Sequence, residues 1–206
     1  MSIIPHGGPA VPPQQDNPWA ITETDTKAEG LEPGAYVARL ERPYVDRERQ
    51  YVAVPFDVAR GPQRGFFADW PVSREGFHTK FLSYKPKARA LTAKALHAIS
   101  ESNAGFDAPP AWNAGDFDAF DGKLVGLVVS HREVRSSYDG GVETMPDYTF
   151  MPLEALRTGS YMIPGKRHLD GTRDDPTEGA PVDLSELDGD EGPDDELWGG
   201  DGDGDR

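Results

Sequence analysis

Cysteine is absent from this sequence, which excludes disulfides and thiolate metal sites and fits a reducing, cytoplasmic setting. No run of about 18 apolar residues occurs, so no membrane-spanning helix is expected. The opening MSIIPHGGPAVPPQQ has neither the basic nor the apolar region of a secretory signal. The five histidines (His6, His78, His97, His131 and His168) show no ligand spacing, and no P-loop, nucleophile elbow or paired-histidine motif is present. Neither an enzyme nor a metal or other cofactor is therefore expected. Apolar residues are also scarce: they make up 36% of 206 residues, beside 23 Gly and 19 Pro. Much of the chain cannot belong to a packed core, and one domain with appendages is the expectation.

The formal charge is −15, but it is unevenly spread. Asp170 to Arg206 holds fifteen Asp or Glu and two Arg, a net of −13, which leaves −2 for residues 1–169. The acidity belongs to the end of the chain and does not argue against a nucleic-acid partner for the nearly neutral remainder. Within that remainder Ser73 to Lys94 carries six Lys or Arg (Arg74, Lys80, Lys85, Lys87, Arg89, Lys94) against the single acid Glu75. Phe77, Phe81 and Tyr84 are threaded through it. Cations neutralise phosphates and flat rings stack on unpaired bases, although a charge run of this kind is also what a solvated helix flank looks like.

Residues 1–30 lack apolar periodicity and read as a disordered leader. From Pro33-Gly34 onward, GAYVARLE places Tyr36, Ala38 and Leu40 on one face of a strand, with Val37, Arg39 and Glu41 on the other. Arg42 to Gln50 reads as a polar loop. Tyr51 to Val58 alternates cleanly, with Val52, Val54, Phe56 and Val58 inward and Tyr51, Ala53, Pro55 and Asp57 outward. Arg64 to Trp70 reads as a third strand after the Gly61-Pro62 turn. Pro86 suits a first helical position, and Ala88, Leu91, Ala95, Ala98 and Ile99 line one helical face, with Asn103-Ala104-Gly105 as its stop. A loose connection, Phe106 to Phe120, leads to a buried strand at Lys123–Ser130 that His131 to Val134 extends. Asp139-Gly140-Gly141 signals a hairpin, and Pro146 to Pro152 returns as a fifth strand.

Three strands, a helix and two strands is the chain order of the OB-fold, a five-stranded Greek-key barrel that commonly binds oligonucleotides on strands 2–3 and the loops 1–2 and 4–5. Here the 1–2 loop offers Arg42, Arg47 and Arg49, and the strand face offers Tyr51, Phe66, Phe67 and Trp70. The 4–5 loop offers His131, Arg132, Arg135 and Tyr138. Lys80, Tyr84, Lys85 and Lys87 extend the groove from the basic stretch. Alternation sends about half of the strand aromatics inward: Tyr51 is expected outside, Phe66 and Phe67 point opposite ways, and Trp70 fits either side. Phe77 and Phe81 are expected to pack inward. The candidate body spans 31–169, and 170–206 reads as a disordered acidic tail.

An ordered series of short motifs runs through the body: Gly34-Ala-Tyr36, Phe56-Asp-Val-Ala-Arg-Gly61, Gly65-Phe66-Phe67, Ser83-Tyr84-Lys85, Ser102-Asn103-Ala-Gly105-Phe106, Asp121-Gly-Lys123-Leu-Val-Gly126 and Pro164-Gly-Lys166. The series resembles OB-fold, single-stranded-DNA-binding-like proteins of phages and conjugative elements of Gram-positive bacteria. That resemblance implies cytoplasmic replication or recombination work on single-stranded DNA. Asp194-Asp195-Glu196-Leu197-Trp198 is similar to the acidic, hydrophobic-tipped tails through which bacterial single-strand-binding proteins recruit partners, but GGDGDGDR follows it, so a pocket that captures a terminal carboxylate would lose that contact. The alternative is an acidic interaction protein, a DNA mimic or recombination accessory that acts on another DNA-binding protein.

Overall fold

A computed structural model describes residues 30–68, 78–137 and 139–185. Residues 1–29 of the proposed leader, Trp70, Phe77, Tyr138 and the Asp194–Trp198 motif lie outside the described residues.

Alternation gives the first strand as expected: β1 (Gly34–Leu40) sends Ala38 and Leu40 into the main core and turns Val37 to the opposite face. The chain then breaks at Glu41-Arg42-Pro43 and resumes as β2 (Tyr44–Asp46), a strand inside what reads as a polar loop. Both β1 and β2 pair antiparallel with β3 (Tyr51–Val58): Leu40 lies opposite Phe56, the Glu41 amide donates to the Pro55 carbonyl at 3.0 Å, and Tyr44 lies opposite Ala53. β1 and β2 are thus one bent strand, and only Arg47–Gln50 remains as its loop to β3.

The third strand is not Arg64–Trp70. Residues 62–68 form successive turns, with Gly61 and Gly65 at φ +80° and +71°, a region that costs side-chain-bearing residues strain. The Gly65 amide donates to the Val58 carbonyl (2.9 Å) and the Phe67 amide to an Asp57 carboxylate oxygen (3.0 Å). The strand that pairs β3 on its other edge is β4 (Thr79–Ser83), with Val52 opposite Leu82 and Ala53 opposite Phe81.

Pro86–Ala88 forms a 3-10 turn that runs into α1 (Arg89–Ser102). Its buried stripe is Thr92, Ala95, Leu96, Ala98 and Ile99. Leu91, expected on that stripe, is 71% exposed, since it sits one residue, or about 100°, off the 92–95–96–99 row. The Asn103 side chain closes the helix as expected and stitches it to the next strand. Its amide nitrogen donates to the Ile99 and Leu124 carbonyls (2.7 Å each), and its oxygen accepts the Leu124 amide (3.0 Å). The connection that follows is not loose. It holds α2 (Ala108–Ala114) and a 3-10 turn at Asp118–Phe120, and it packs Phe106, Trp112, Phe117 and Phe120 on the core.

β5 (Leu124–Arg135) pairs with β1 along 124–129 and with β6 (Val142–Met151) along 126–135. Gly140, at φ +73°, turns the hairpin. α3 (Leu153–Thr158) then folds back on β5, so closely that a Cβ on Gly126 would lie 2.8 Å from Leu156 Cδ1. The protein is a mostly antiparallel β structure with a few helices. The sheet order is β2-β3-β1-β5-β6, with β4 on the second edge of β3.

Residues 170–185, expected as disordered tail, belong to the folded body. β7 (Met162–Ile163) pairs with β8 (Thr177–Glu178), the Tyr161 hydroxyl donates to the Ala180 carbonyl (2.7 Å), and the Val182 amide donates to Leu156 (2.9 Å). Leu184 is buried against Val37 and Ala59. Acidic composition hides two apolar anchors of this segment, Leu184 in one buried cluster and Val182, which packs on that cluster and on the one that holds Tyr161.

Candidate nucleic-acid interface

The outward side of β2, β3 and β4 follows from pleating, because directly opposed residues share a face. Tyr44, Ala53 and Phe81 form one transverse row, and Asp46, Tyr51 and Ser83 form the next. Ala53 is small and flat, so the rings on either side of it stand proud: Tyr44 and Phe81 are each 45% exposed. Tyr51 sits diagonal to Phe81 and meets it edge-on, with ring centroids 4.8 Å apart. An edge-to-face pair fixes both rings while leaving the outer faces open to a stacking partner.

The Arg47–Gln50 turn frames this face. The Arg49 amide donates to Asp46 Oδ1 (2.9 Å), which is the main cause holding the Asp46 carboxyl below its usual range. The Arg49 guanidinium reaches the Tyr51 hydroxyl at 3.4 Å. Arg47 and Arg49 are exposed. Gln50 adopts φ +60°, and its carbonyl accepts the Ser83 hydroxyl (3.2 Å) and the Tyr84 amide (3.3 Å). Those bonds bring Tyr84, Lys85 and Lys87 to the same end of the sheet as Arg47, Arg49 and Tyr51. Six residues expected at a site are therefore neighbours, although 40 positions separate the outermost of them, Arg47 and Lys87.

Other expected contacts fall elsewhere. Phe67 is only 4% exposed, packed edge-on against Phe56 and stacked on His78, and Phe66 packs on the same core. Both are core residues because their segment turns instead of pairing. Lys80 lies opposite Val54, on the inward side of β4, and donates to the Tyr148 carbonyl of β6. Burial lowers its pKa, Asp147 opposes that shift, and Arg132 adds to it. Lys80 is accordingly a bridge between β4 and β6 rather than an open phosphate contact, and Arg132 lies within its electrostatic reach. Arg135 is exposed at the end of β5, and no described contact ties it to the aromatic face.

Sequence reasoning missed Tyr44, hidden in a three-residue strand after Pro43, and it sent Phe81 inward. The signal for Phe81 was the pair it forms with Leu82: once Leu82 is taken as core, Phe81 must face out. No helix among the described residues is long and apolar enough to cross a membrane. No protein-family model matches this sequence, and no curated protein matches it either.

Proposed function

We propose that the protein binds single-stranded DNA with little sequence preference, as a non-enzymatic component of replication or recombination. The observation that carries this reading is the outward Tyr44–Phe81–Tyr51 cluster framed by Arg47, Arg49, Lys85 and Lys87. Rings stack on any base, and mobile cations follow any phosphate chain, so such a surface discriminates weakly among sequences. The pairing order supports an OB-type barrel as its frame. β1 lies between β3 and β5, and the bent β1–β2 strand spans both halves. The long helix α1 falls between the third and fourth major strands. β4 and β6, the strands whose contact would close the barrel, are bridged by Lys80 and the Tyr148 carbonyl. Residues 186–206, with ten acids and one Arg, are a candidate recruiter of partner proteins or a competitor for the protein's own cations.

Fluorescence anisotropy with labelled oligo-dT, across a salt series, tests the reading. Binding that weakens steeply with salt is expected, and it persists or tightens when the chain is ended at Ser185. Absence of binding at low salt in both forms would overturn it.

A further inference from the structure

We propose that the groove between α1 and α2 is a second nucleotide subsite, which takes an unpaired base of the single strand as it leaves the β2–β3–β4 face. The inference rests on the single-strand-binding reading above and extends it to a surface on the helices. The groove has a volume of about 670 Å³ and is lined by Ser83, Tyr84, Arg89, His97, Trp112 and Asn113, among others. That volume is within the range of about 300–1,000 Å³ typical of small-molecule sites.

Continuity joins it to the aromatic face. Ser83 lies opposite Tyr51 in the β3–β4 ladder, and Tyr84 is the next residue along the chain. The groove begins where the strand face ends. The Thr92 hydroxyl donates to the Ser83 carbonyl at 2.7 Å, which fastens α1 to the end of β4. Two rings serve the groove. Tyr84 is 36% exposed, and Trp112 is held half-buried by an edge-on contact with Phe117, at 5.7 Å between centroids. A ring fixed by packing on one side loses little freedom when a base stacks on the other. Asn113 and His97, both exposed, offer hydrogen-bonding groups to a base edge.

Charge points to the same occupant. None of the described residues that line the groove is acidic, in a chain of net charge −15. Arg89 lies on its wall, makes no ion pair with a described residue, and continues the line of Lys85 and Lys87 from the strand face. A stacking wall, a hydrogen-bonding amide and a cation, reached along a cationic path, suit a nucleobase and its phosphate.

The test compares oligo-dT of increasing length on the full chain, with Ala93→Phe to fill the groove from the exposed side of α1, Arg89→Ala to remove the cation, and Tyr51→Ala as the strand-face variant. Oligonucleotides carrying 5-bromodeoxyuridine are photo-crosslinked in parallel and the adducts mapped by mass spectrometry. Both groove variants are expected to weaken the longer oligonucleotides about tenfold and to leave the shortest binding length unchanged. An adduct on Trp112 or Tyr84 is expected in the unmodified protein and lost in Ala93→Phe. If both groove variants bind every length normally while Tyr51→Ala weakens all of them, the groove proposal is overturned and the strand-face reading stands. Absence of any binding by the unmodified protein overturns both.

Discussion

The outer sides of one sheet meet different fates at its two ends. On β1 and β5 the outward residues Val37 and Val128 are covered: α3 brings Leu156, and the chain beyond it brings Tyr161, Val182 and Leu184. On β2, β3 and β4 the outward rings of Tyr44 and Phe81 are each 45% exposed, and Tyr51 between them is half-buried. Pleating produced both faces by the same rule. Among the described residues the difference is that aliphatic side chains lie under a lid, whereas rings beside four cations stay partly exposed. Open aromatic area costs solvation free energy, and the described chain spends some 30 residues covering one face while the rings of the other keep part of their surface exposed.

The contrast is sharpest in how the two faces respond to truncation. Leu156→Ala removes a fully buried side chain wedged against Gly126, and it should cost about 2–5 kcal/mol of stability, read by denaturant unfolding, while the oligonucleotide affinity of the remaining folded protein is unchanged. Tyr51→Ala should do the reverse. It should lower affinity for oligo-dT by about 1–3 kcal/mol with a much smaller change in the unfolding midpoint. If Tyr51→Ala instead unfolds the protein as readily as Leu156→Ala, the open face is structural and the comparison fails.

Much of this division was legible in sequence, and the failures have specific causes. The alternation of Val52, Val54, Phe56 and Val58 placed Tyr51 outside without ambiguity, and Pro86, Asn103 and Asp139-Gly140-Gly141 bounded α1 and the β5–β6 hairpin. The third strand was misplaced because TKFLS hides its pattern. Lys80 occupies an inward position and Phe81 an outward one, which inverts the usual polarity, while RGFFADW has strand-like composition but holds Gly65 at positive φ, just after Gly61 with the same sign. The folded stretch 170–185 was hidden by charge, because two apolar residues, Val182 and Leu184, are too few to form a periodic signal. Lys85 and Lys87 were found from composition, but only the Gln50 carbonyl shows that they adjoin Arg49.

Two gentler perturbations probe the open face and a segment away from it. On the open face, Arg49→Ala should reduce the slope of log K against log salt by about 0.7 if that guanidinium meets one phosphate of a single strand; an unchanged slope would mean that Arg49 serves only Tyr51 and Asp46. Away from the open face, along the edge of β5, Glu133 gathers Lys166 (2.8 Å), His168 (3.2 Å) and the Leu169 amide (3.3 Å), and His168 also meets Asp174 at 3.0 Å. The bonds to Asp174 and Glu133 raise the His168 pKa, and Lys166 first among the causes lowers that of Glu133. A raised histidine contributes stability that is complete below its ordinary value near 6.5 and lost as pH climbs through its raised value. A lowered glutamate contributes above its ordinary value near 4.5 and loses that as pH falls. The clasp should therefore be firmest between those two values. Exchange at the Arg167 amide, which donates to His131 (3.0 Å), should lose protection relative to Leu127 in β5 as pH rises above 6.5, and the trend should vanish in His168→Gln. A ratio that stays flat from about pH 5 to 8 would show that the histidine does not hold the segment.

The smallest effect concerns the turn that frames the open face. Gln50 is the described non-glycine residue with positive φ, at +60°, a conformation that costs an L-residue about 1–2 kcal/mol. Gln50→Gly removes that strain but gives the unfolded chain more freedom, which offsets part of the gain. The groups that use this position are the Ser83 hydroxyl and the Tyr84 amide, and both bond to the backbone carbonyl rather than to the side chain. Glycine keeps both bonds, so the variant should be more stable by about 0.5–1 kcal/mol with oligonucleotide affinity preserved. A loss of stability would mean that the side-chain amide contributes in its own right. A loss of affinity without a loss of stability would be more informative, because it would mean that the strained residue holds Arg47 and Arg49 in a binding position that a more pliant turn lets go. The open face would then be pre-organised by its turn as much as by its rings.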